Sequence, residues 1–409
     1  MENLKRIKLK EGSANFYIYE DDLDKIPSKA MNVFYNEKMI LNRDITLLTL
    51  IAYQTLYKPK ILTIVDSMAA SGIGSIRFLL ECKGIKKIYI NDINPIACNL
   101  IEENLKLNGL YDTNTEIILS NKDANFLFSE INQNHILNVN DDNKPNVISI
   151  DPFGTPNLYL DTAFKAIKKD MSILCITATD SAVLFGVKPE VCFRKYLSKP
   201  LHNEYCKEIG TRILLHFIAR IANVNKLGIK PLLCFYSQHF IRIFCLTLKT
   251  VNTINQSFKN YGFIIHCNKC GFRKAVDYKI TNIDSRCSNC NTNSDVDYAG
   301  PLWIGEIHQI EMLNIMKNLN QRLNLPNKKR IIKLLNFIYE EIDMPFSYYN
   351  IHKLAKSLSI ETLPKIEKII NKIREMGYKA SRTHFDFTSI KTNLEIKNLK
   401  KLFISNQLN

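Results

Sequence analysis

The sequence predicts an open α/β sheet with a smaller C-terminal part, and three observations carry that prediction. Strand-like apolar runs alternate with helical periodicity from residue 61 onward, as in KILTIVD, SIRFLLE, KKIYIND and PIACNLIEENLKL. An acid stands at or just past the end of each of four successive strand-like runs: Asp66, Asp92, Asp123 and Asp151. LLCFYSQHFIRIFCLTL then reads as two strands meeting near Ser237–Gln238, an antiparallel pair that closes the series. Open α/β sheets bind ligands at the carboxyl ends of their strands, so four carboxylates placed there define one candidate site.

Residues 1–30 are polar and weakly patterned, with one short candidate strand at Phe16–Tyr19. A helical apolar pattern runs from Asp44 to Leu56. Before it stands a polar-aromatic cluster, Phe34, Tyr35, Asn36, Asn42 and Arg43, which suits a solvated loop as well as a binding site. The first sheet strand is Ile61–Val65, ending in Asp66, followed by the small residues Ala69, Ala70, Ser71, Gly72 and Gly74 and a helix from about Ser75. Small residues let a ligand approach the backbone, and the amides of the helix start face it. The second strand ends at Asp92, where a carboxylate suits a ribose diol. Gly72-x-Gly74 lacks the third glycine of the dinucleotide fingerprint.

Residues 94–109 form a helix with Pro95 in its first turn and Gly109 at its end. The third strand runs into Asn121, Lys122, Asp123, Ala124 and Asn125; Asp123 suits either the N6 amine of an adenine or a helix cap. Residues 132–146 read as a polar loop and Val147–Ile150 as the fourth strand. That strand delivers Asp151 into Pro152-Phe153-Gly154-Thr155-Pro156, a rigid turn in which an acid stands beside an aromatic ring. Such a pair grips a planar ring carrying an exocyclic amine: Phe153 stacks, and Asp151 accepts from the N–H. The same residues also suit an ordinary loop in which Phe153 fills the core and Asp151 caps a turn. Together with the turn at Gly72, this loop points to S-adenosylmethionine rather than NAD. LDTAFKAIKK reads as a helix, MSILCITATD as a fifth strand ending in Thr177, Thr179 and Asp180, and a long helix follows His202.

A length of 409 residues predicts two or three domains, here 1–257 and 258–409. Lys and Arg number 55 against 40 Asp and Glu, a formal charge of +15 that favours a polyanionic partner. The N-terminal segment has no apolar signal core and no stretch approaches about 18 uncharged apolar residues, which excludes a helical membrane protein and predicts a cytoplasmic one. Of 11 cysteines, seven are scattered as buried free thiols. The other four, Cys267-x-x-Cys270 and Cys287-x-x-Cys290, have the spacing of a closed, structural four-cysteine zinc site in a ribbon over 264–293. Two helices follow, then a helix–turn–helix and strand pair over 345–392, a winged-helix outline. Its basic second helix (Lys365, Lys368, Lys372, Arg374) and the Arg382–Thr383–His384 end predict a nucleic-acid contact. KNLKKLFISNQLN reads as a last helix or a basic tail.

Taken in order, VFYNEKMILNRD, DSMAASGIGSIRF, NDINP, IDPFGTP, YCKEIGTRILL, the paired CxxC knuckles, GPLWIGE and SRTHFDFT resemble the archaeal form of the tRNA (guanine-26, N2) dimethyltransferase family. The resemblance covers nearly the whole chain. It implies a class I, Rossmann-like, S-adenosylmethionine-dependent methyltransferase domain over 1–257 and a C-terminal tRNA-binding domain over 258–409. The reaction it implies is transfer of one, then two methyl groups to N2 of a guanine at the junction of two tRNA stems. It further implies that Arg43, Asp92, Asp123 and Ala124 line the cofactor pocket, to which the reading of the first strand and turn adds Asp66, Gly72 and Gly74. Asp151, Pro152 and Phe153 would form the catalytic loop and Phe34 the second ring about the guanine. One position departs: where the family frequently has arginine after its Gly-Ile pair, this chain has Gly74, and Arg77 lies too far along the helix to replace it.

The expected chemistry needs no metal. Asp151 accepts one N2 proton, the Pro152 carbonyl accepts from the other N–H, and the rings hold the base. The expected partner is tRNA, with no membrane and no obligate protein partner. Two rivals remain open on sequence: an N-methyltransferase acting on another guanine or adenine in tRNA, rRNA or DNA or on a glutamine amide, and a non-catalytic RNA-binding protein with a vestigial cofactor fold.

Overall fold

Seven strands form the central sheet of the computed structural model, which describes residues 5–22, 25, 28, 30–138, 144–280, 282 and 284–404. A hairpin precedes it, β1 (Arg6–Glu11) with β2 (Ala14–Tyr19). The sheet strands are β3 (Leu62–Asp66), β4 (Ile85–Asn91), β5 (Glu116–Ser120), β6 (Val147–Ile150), β7 (Ser172–Ala178), β8 (Gly228–Ser237) and β9 (Phe240–Leu248), in the order β5-β4-β3-β6-β7-β9-β8. β3 through β7 pair in parallel, while β9 lies antiparallel between β7 and β8. The chain reverses direction of travel across the sheet between β3 and β6, the switch point at which open α/β sheets bind ligands.

Helices cover both faces. α1 (Ile40–Tyr57), α2 (Ile73–Glu81) and α3 (Pro95–Leu107) are followed by α4 (Ala124–Asn138), α5 (Leu160–Ala166), the short α6 (Ser181–Leu184) and α7 (Pro189–Tyr196), and the long α8 (Cys206–Val224). In β3, Ile64 and Val65 point to opposite faces and enter two separate cores. Ile64 packs with Leu48, Ile76 and Leu335, and Val65 with Phe128, Phe164 and Leu214. All of these side chains are fully buried or nearly so, each worth roughly 1.5–3 kcal/mol of transfer free energy.

Several sequence-based boundaries move. The unread strand β1 pairs with the expected one because its alternation is carried by Lys and Ile on a half-exposed edge. α1 starts at Ile40 rather than Asp44, since Asn36 caps a 3₁₀ turn that leads directly into it. α4 continues to Asn138 through residues read as a polar loop, held by buried Leu127, Phe128 and Ile131; residues 139–143 of that loop lie outside the described residues. α2 begins at Ile73, which puts Gly74 in its first turn and leaves Gly72 as the left-handed residue before it (φ 76°).

The expected division at 257/258 falls inside α9 (Val251–Lys259). Beyond it, β10 (Tyr261–Cys267), β11 (Arg273–Asp277) and β12 (Val296–Trp303) form a three-stranded sheet. α10 (Ile310–Arg322) and α11 (Lys328–Glu341) then return to the first core, where Met312, Met316, Leu335 and Ile338 pack with α1. A last unit holds β13 (Tyr349–Asn350), α12 (Ile351–Ser357), α13 (Ile366–Glu375), β14 (Ala380–Arg382), β15 (Ser389–Thr392) and α14 (Ile396–Ile404), with strand order β13-β15-β14. The end of the expected tail, 405–409, lies outside the described residues. Among the described residues no helix is long and apolar enough to cross a membrane.

Candidate active site

A cavity of about 520 Å³ opens at the carboxyl ends of β3, β4, β5 and β6. Phe34, Arg43, Asp66, Gly74, Asp92, Asp123, Ala124, Asp151, Pro152 and Phe153 all line it, so residues from widely separated parts of the sequence share one wall. Gly72 is not among the lining residues. A Cβ there would meet the Ile101 side chain at 3.0 Å, and its positive φ and close packing against α3 account for the glycine. Gly74 does line the cavity, with room for a Cβ 3.7 Å from Asp66 Oδ2.

Each acid is fixed by its strand end. Asp66 accepts from the Ser75 hydroxyl at 2.6 Å and is nearly sealed from water; burial pushes its carboxyl up to about 6 against that hydrogen bond, aided by the nearby Asp151 and Asp92 charges. Asp92 accepts from the Ala70 amide at 2.8 Å and the Asn94 amide at 2.9 Å, which ties the β3 turn to the β4 end. Burial raises its pKa while those amides pull it down. Asp123 caps α4: its Oδ1 accepts from the Asn125 amide at 2.9 Å and the Phe126 amide at 3.3 Å.

Asp151 follows β6 directly, and burial raises its pKa against the pull of Arg242, Thr177, Arg43 and His239. The loop after it is clamped to the end of β7, since the Gly154 amide donates to Thr179 Oγ1 at 2.7 Å and the Thr179 amide donates to Gly154 O at 2.9 Å. The Tyr196 hydroxyl donates to Asp180 at 2.9 Å, so the Thr155 hydroxyl, 3.0 Å from it, is the donor in that pair. Phe153 remains 46% exposed, and its ring meets Phe34 edge to face with centroids 4.9 Å apart. No slot for a base lies between the rings in this arrangement.

Arg43 faces the cavity but its guanidinium grips Glu11 of β1 through two bonds, Nε to Oε1 at 2.7 Å and Nη2 to Oε2 at 2.6 Å. Arg77 points away from the cavity into a buried cluster, with Glu11 at 2.9 Å, Asp44 at 2.7 Å and Glu81 at 3.0 Å. It supplies no cation to the wall that Gly74 leaves bare. The sequence reading missed Thr46, Tyr159, Ser149, His239 and Arg242, all of which line the same cavity. His239 and Arg242 sit at the β8–β9 turn and the start of β9; the hairpin pattern marked the turn, but not its place beside the strand ends.

In the C-terminal part, Cys267, Cys270, Cys287 and Cys290 converge, with sulfurs 3.7 Å apart for Cys267 and Cys290 and 3.6 Å for Cys270 and Cys287. The Phe272 and Asn289 amides each donate to a cluster sulfur, Cys270 and Cys287, at 3.4 Å. The expected nucleic-acid face at Arg382–Thr383–His384 is turned inward. Thr383 and His384 are buried against Glu341, and Arg382 pairs with Glu367 at 3.0 Å and donates to the Phe387 carbonyl. Hydroxyl and imidazole reach a buried carboxylate there, and that outweighs exposure to solvent. On α13, Lys368 and Arg374 stay exposed, as does Lys365 at its N-cap, while Lys372 is half-buried.

The strand order, the switch-point cavity and the acids at four strand ends define a Rossmann-like methyltransferase sheet. A family model described as N2,N2-dimethylguanosine tRNA methyltransferase matches residues 12–403. The chain belongs to that family. It is 34% identical over 385 residues to the tRNA (guanine(26)-N(2))-dimethyltransferase of Methanosphaera stadtmanae, covering 94% of this chain and 93% of that protein. Identity to the enzyme of the same name from Pyrococcus abyssi is 36% over 372 residues, 88% of this chain and 90% of that one. A solved structure, Trm1 from Pyrococcus horikoshii in complex with S-adenosyl-L-methionine, superposes with a TM-score of 0.81 at 32% identity, covering 97% of this chain and 99% of that one.

Proposed function

We propose that the chain, as a member of this family, methylates the exocyclic N2 of guanine 26 in tRNA in two rounds, giving N2,N2-dimethylguanosine from S-adenosylmethionine. The observation that carries the assignment of roles is the single cavity shared by Asp92, Asp123, Asp151 and Phe153. Its volume of about 520 Å³ suits a nucleoside-sized ligand. Asp92 already receives two amides, and a carboxylate has about four acceptor sites, so it can still take both ribose hydroxyls. Asp123 uses Oδ1 for the helix cap, and among the described residues none donates to its Oδ2, which leaves that oxygen to accept from an adenine amine. Ala124, Gly74 and Asp66 complete that wall, and Arg43 closes it from α1.

When bound, S-adenosylmethionine supplies an electrophilic methyl group. Asp151 accepts a proton from guanine N2, whose lone pair is delocalised into the ring and whose N–H becomes acidic only as the new bond forms. The Pro152 carbonyl accepts from the other N–H and holds the amine in plane. Phe34 and Phe153 separate to take the base between them, and the base leaves its stack at an irregular stem junction, where unstacking costs least. After one round N2 keeps one proton, so the same carboxylate serves again.

The four cysteines bind one structural zinc ion. Bonds of about 2.3 Å to a tetrahedral zinc put the sulfurs about 3.8 Å apart, close to the observed 3.6 and 3.7 Å, and two amides stabilise the thiolates. Residues 258–409 act as the tRNA-holding part, with 264–293 as the zinc ribbon and β13 through β15 as a winged-helix-like unit presenting Lys365, Lys368 and Arg374. The formal charge of +15 supports a phosphate-rich partner, and the scattered free thiols support a reducing, cytoplasmic setting. Nucleoside mass spectrometry of unmodified tRNA incubated with enzyme and S-adenosylmethionine tests the reading. N2,N2-dimethylguanosine is expected; methyl groups found only on adenine, or on no nucleoside, overturn it.

A further inference from the structure

Among the described residues, Arg242 is the one buried arginine that forms an ion pair with no carboxylate. It is 2% exposed. The buried Arg77 faces three acids, Arg212 pairs with Glu208 at 3.0 Å and Arg273 with Glu204 at 2.6 Å. Arg242 is held instead by three hydroxyls, donating from Nη1 to Thr177 at 2.6 Å and from Nη2 to Thr46 at 3.2 Å and Ser149 at 3.4 Å; its Nε is buried without a partner. A guanidinium stripped of water and given only neutral acceptors is costly to bury. Such an arrangement persists where the charge acts on something beyond its own contacts.

The topology says what that is. β9 runs antiparallel to β7, which sets Arg242 opposite Thr177 and level with the carboxyl ends of β6 and β7. Arg242 therefore lines the cavity beneath Asp66 and Asp151. Thr177 accepts from Arg242, so its single proton is directed elsewhere, and the register of β6 with β7, Ile150 opposite Ile176, brings Thr177 alongside Asp151, the carboxylate to which it can donate. The other charged groups that face Asp151 are Arg43 from α1, His239 from the β8–β9 turn and Asp66 from β3. Of the positive ones, Arg43 is already bound to Glu11, and His239 has its charged form disfavoured by burial and by Lys38.

We propose that Arg242 is a positioning residue for methyl transfer: through Thr177 it fixes the Asp151 carboxylate at the end of β6 and supplies the internal counter-charge that keeps it anionic. The inference rests on the assignment of Asp151 as proton acceptor. Removing the guanidinium leaves Asp151 beside Asp66 without that counter-charge, so it protonates at higher pH and the acid limb of the rate profile moves upward.

The test uses the full-length protein, unmodified tRNA and labelled S-adenosylmethionine, with rates read from about pH 5.5 to 9, a range that spans the expected limb. R242M should move the acid limb of kcat up by about one pH unit or more, a rate loss of roughly tenfold or more on that limb, with cofactor KM changed less than about threefold. R242K should restore part of the shift. T177V, close to the native shape, should move the limb the same way by less. A uniform fall at every pH in R242M, or an unmoved limb, overturns the proposal. Should R242M not fold, an unmoved limb in T177V overturns it equally. D151N separates the two levels: full activity there removes the underlying assignment, whereas an inactive D151N beside neutral Arg242 and Thr177 variants removes only the role of Arg242.

Discussion

Phe34 and Phe153 meet edge to face, ring centroids 4.9 Å apart and planes at 85°, across the mouth of the cavity that holds Asp151. A base stacked between two rings needs parallel planes about twice a stacking distance apart, so entry of guanine requires one ring to turn. Phe153 is the more exposed of the two and sits on the loop after β6, whereas Phe34 belongs to the segment leading into α1. The aromatic contact is worth about 0.5–1.5 kcal/mol, and stacking a base on each ring returns about 1–3 kcal/mol.

Phe153→Ala should therefore lose rate at the step that captures the base and leave the cofactor pocket intact. The expected loss is about 5- to 100-fold in kcat/KM for tRNA, the range that one stacking face represents. Isothermal titration with S-adenosylmethionine should give an affinity within about threefold of the parent. A collapse of cofactor binding with unchanged single-turnover rate would place the ring on the wrong side of the site.

Asp151→Ala should abolish transfer while tRNA still binds in a filter assay. Among the described residues no backbone hydrogen bond of the loop depends on the carboxylate, and Gly154 and Thr179 clamp the loop to β7. Turnover at the parent level in the alanine variant would take Asp151 out of the chemistry.

The pattern along the chain disclosed the parts governed by local chemistry. A strand ending in an acid is visible because period and composition change together, and Asp66, Asp92, Asp123 and Asp151 all reach the cavity from such ends. The convergence of the four cysteines was equally legible, because thiols in CxxC spacing have few other uses. Hidden from the pattern were the partners chosen in three dimensions. Glu11 sits on an edge hairpin of weak pattern, yet it binds both Arg43 and Arg77. Arg242 reads as an interruption in an apolar strand until the register with Thr177 is known. His384 and Thr383 read as a basic surface end, while the buried carboxylate that draws them inward stands far earlier in the chain, at Glu341.

Arg77 joins three elements: Glu11 of β1, Asp44 of α1 and Glu81 of α2, and Asp44 in turn accepts from the Asn327 amide at 3.1 Å at the start of α11. Arg77→Met removes the cation and leaves Glu11 and Asp44 charged in a site closed to water. Breaking a buried pair from one side costs about 3–5 kcal/mol. Urea unfolding should show that loss, and proteolysis should open the N-terminal hairpin first. An unchanged denaturation midpoint would mean that the carboxylates are relieved by protonation or by solvent.

Removal of the metal should affect fold before chemistry. Cys267→Ser takes one thiolate from the cluster, and β11, the edge strand of the three-stranded sheet that carries it, has no buried residue to hold it otherwise. Metal analysis should find about one zinc per parent chain and less in the variant, with a lower Tm. A parent protein free of zinc when expressed in zinc-replete medium, with Tm unaffected by chelator, would refute the assignment.

Asp66 links pH to stability with a sign that can be worked out. Burial raises its carboxyl from the ordinary 3.8 to about 6 in the folded chain, so between those values the folded state holds a proton that the unfolded state has lost. Stability therefore falls as pH rises through that window, and above about 6 the full penalty remains, on the order of 3 kcal/mol at about 1.36 kcal/mol per unit. Asp66→Asn keeps an acceptor for the Ser75 hydroxyl and removes the charge. The variant should gain Tm over the parent at about pH 7.5, and the gain should vanish near about pH 4, where the folded parent is already protonated. Equal gains at the two pH values would show that packing, and not the buried charge, separates the variants. A gain at the higher pH with lost cofactor binding would mark Asp66 as a charge that the fold tolerates for the sake of the ligand facing it.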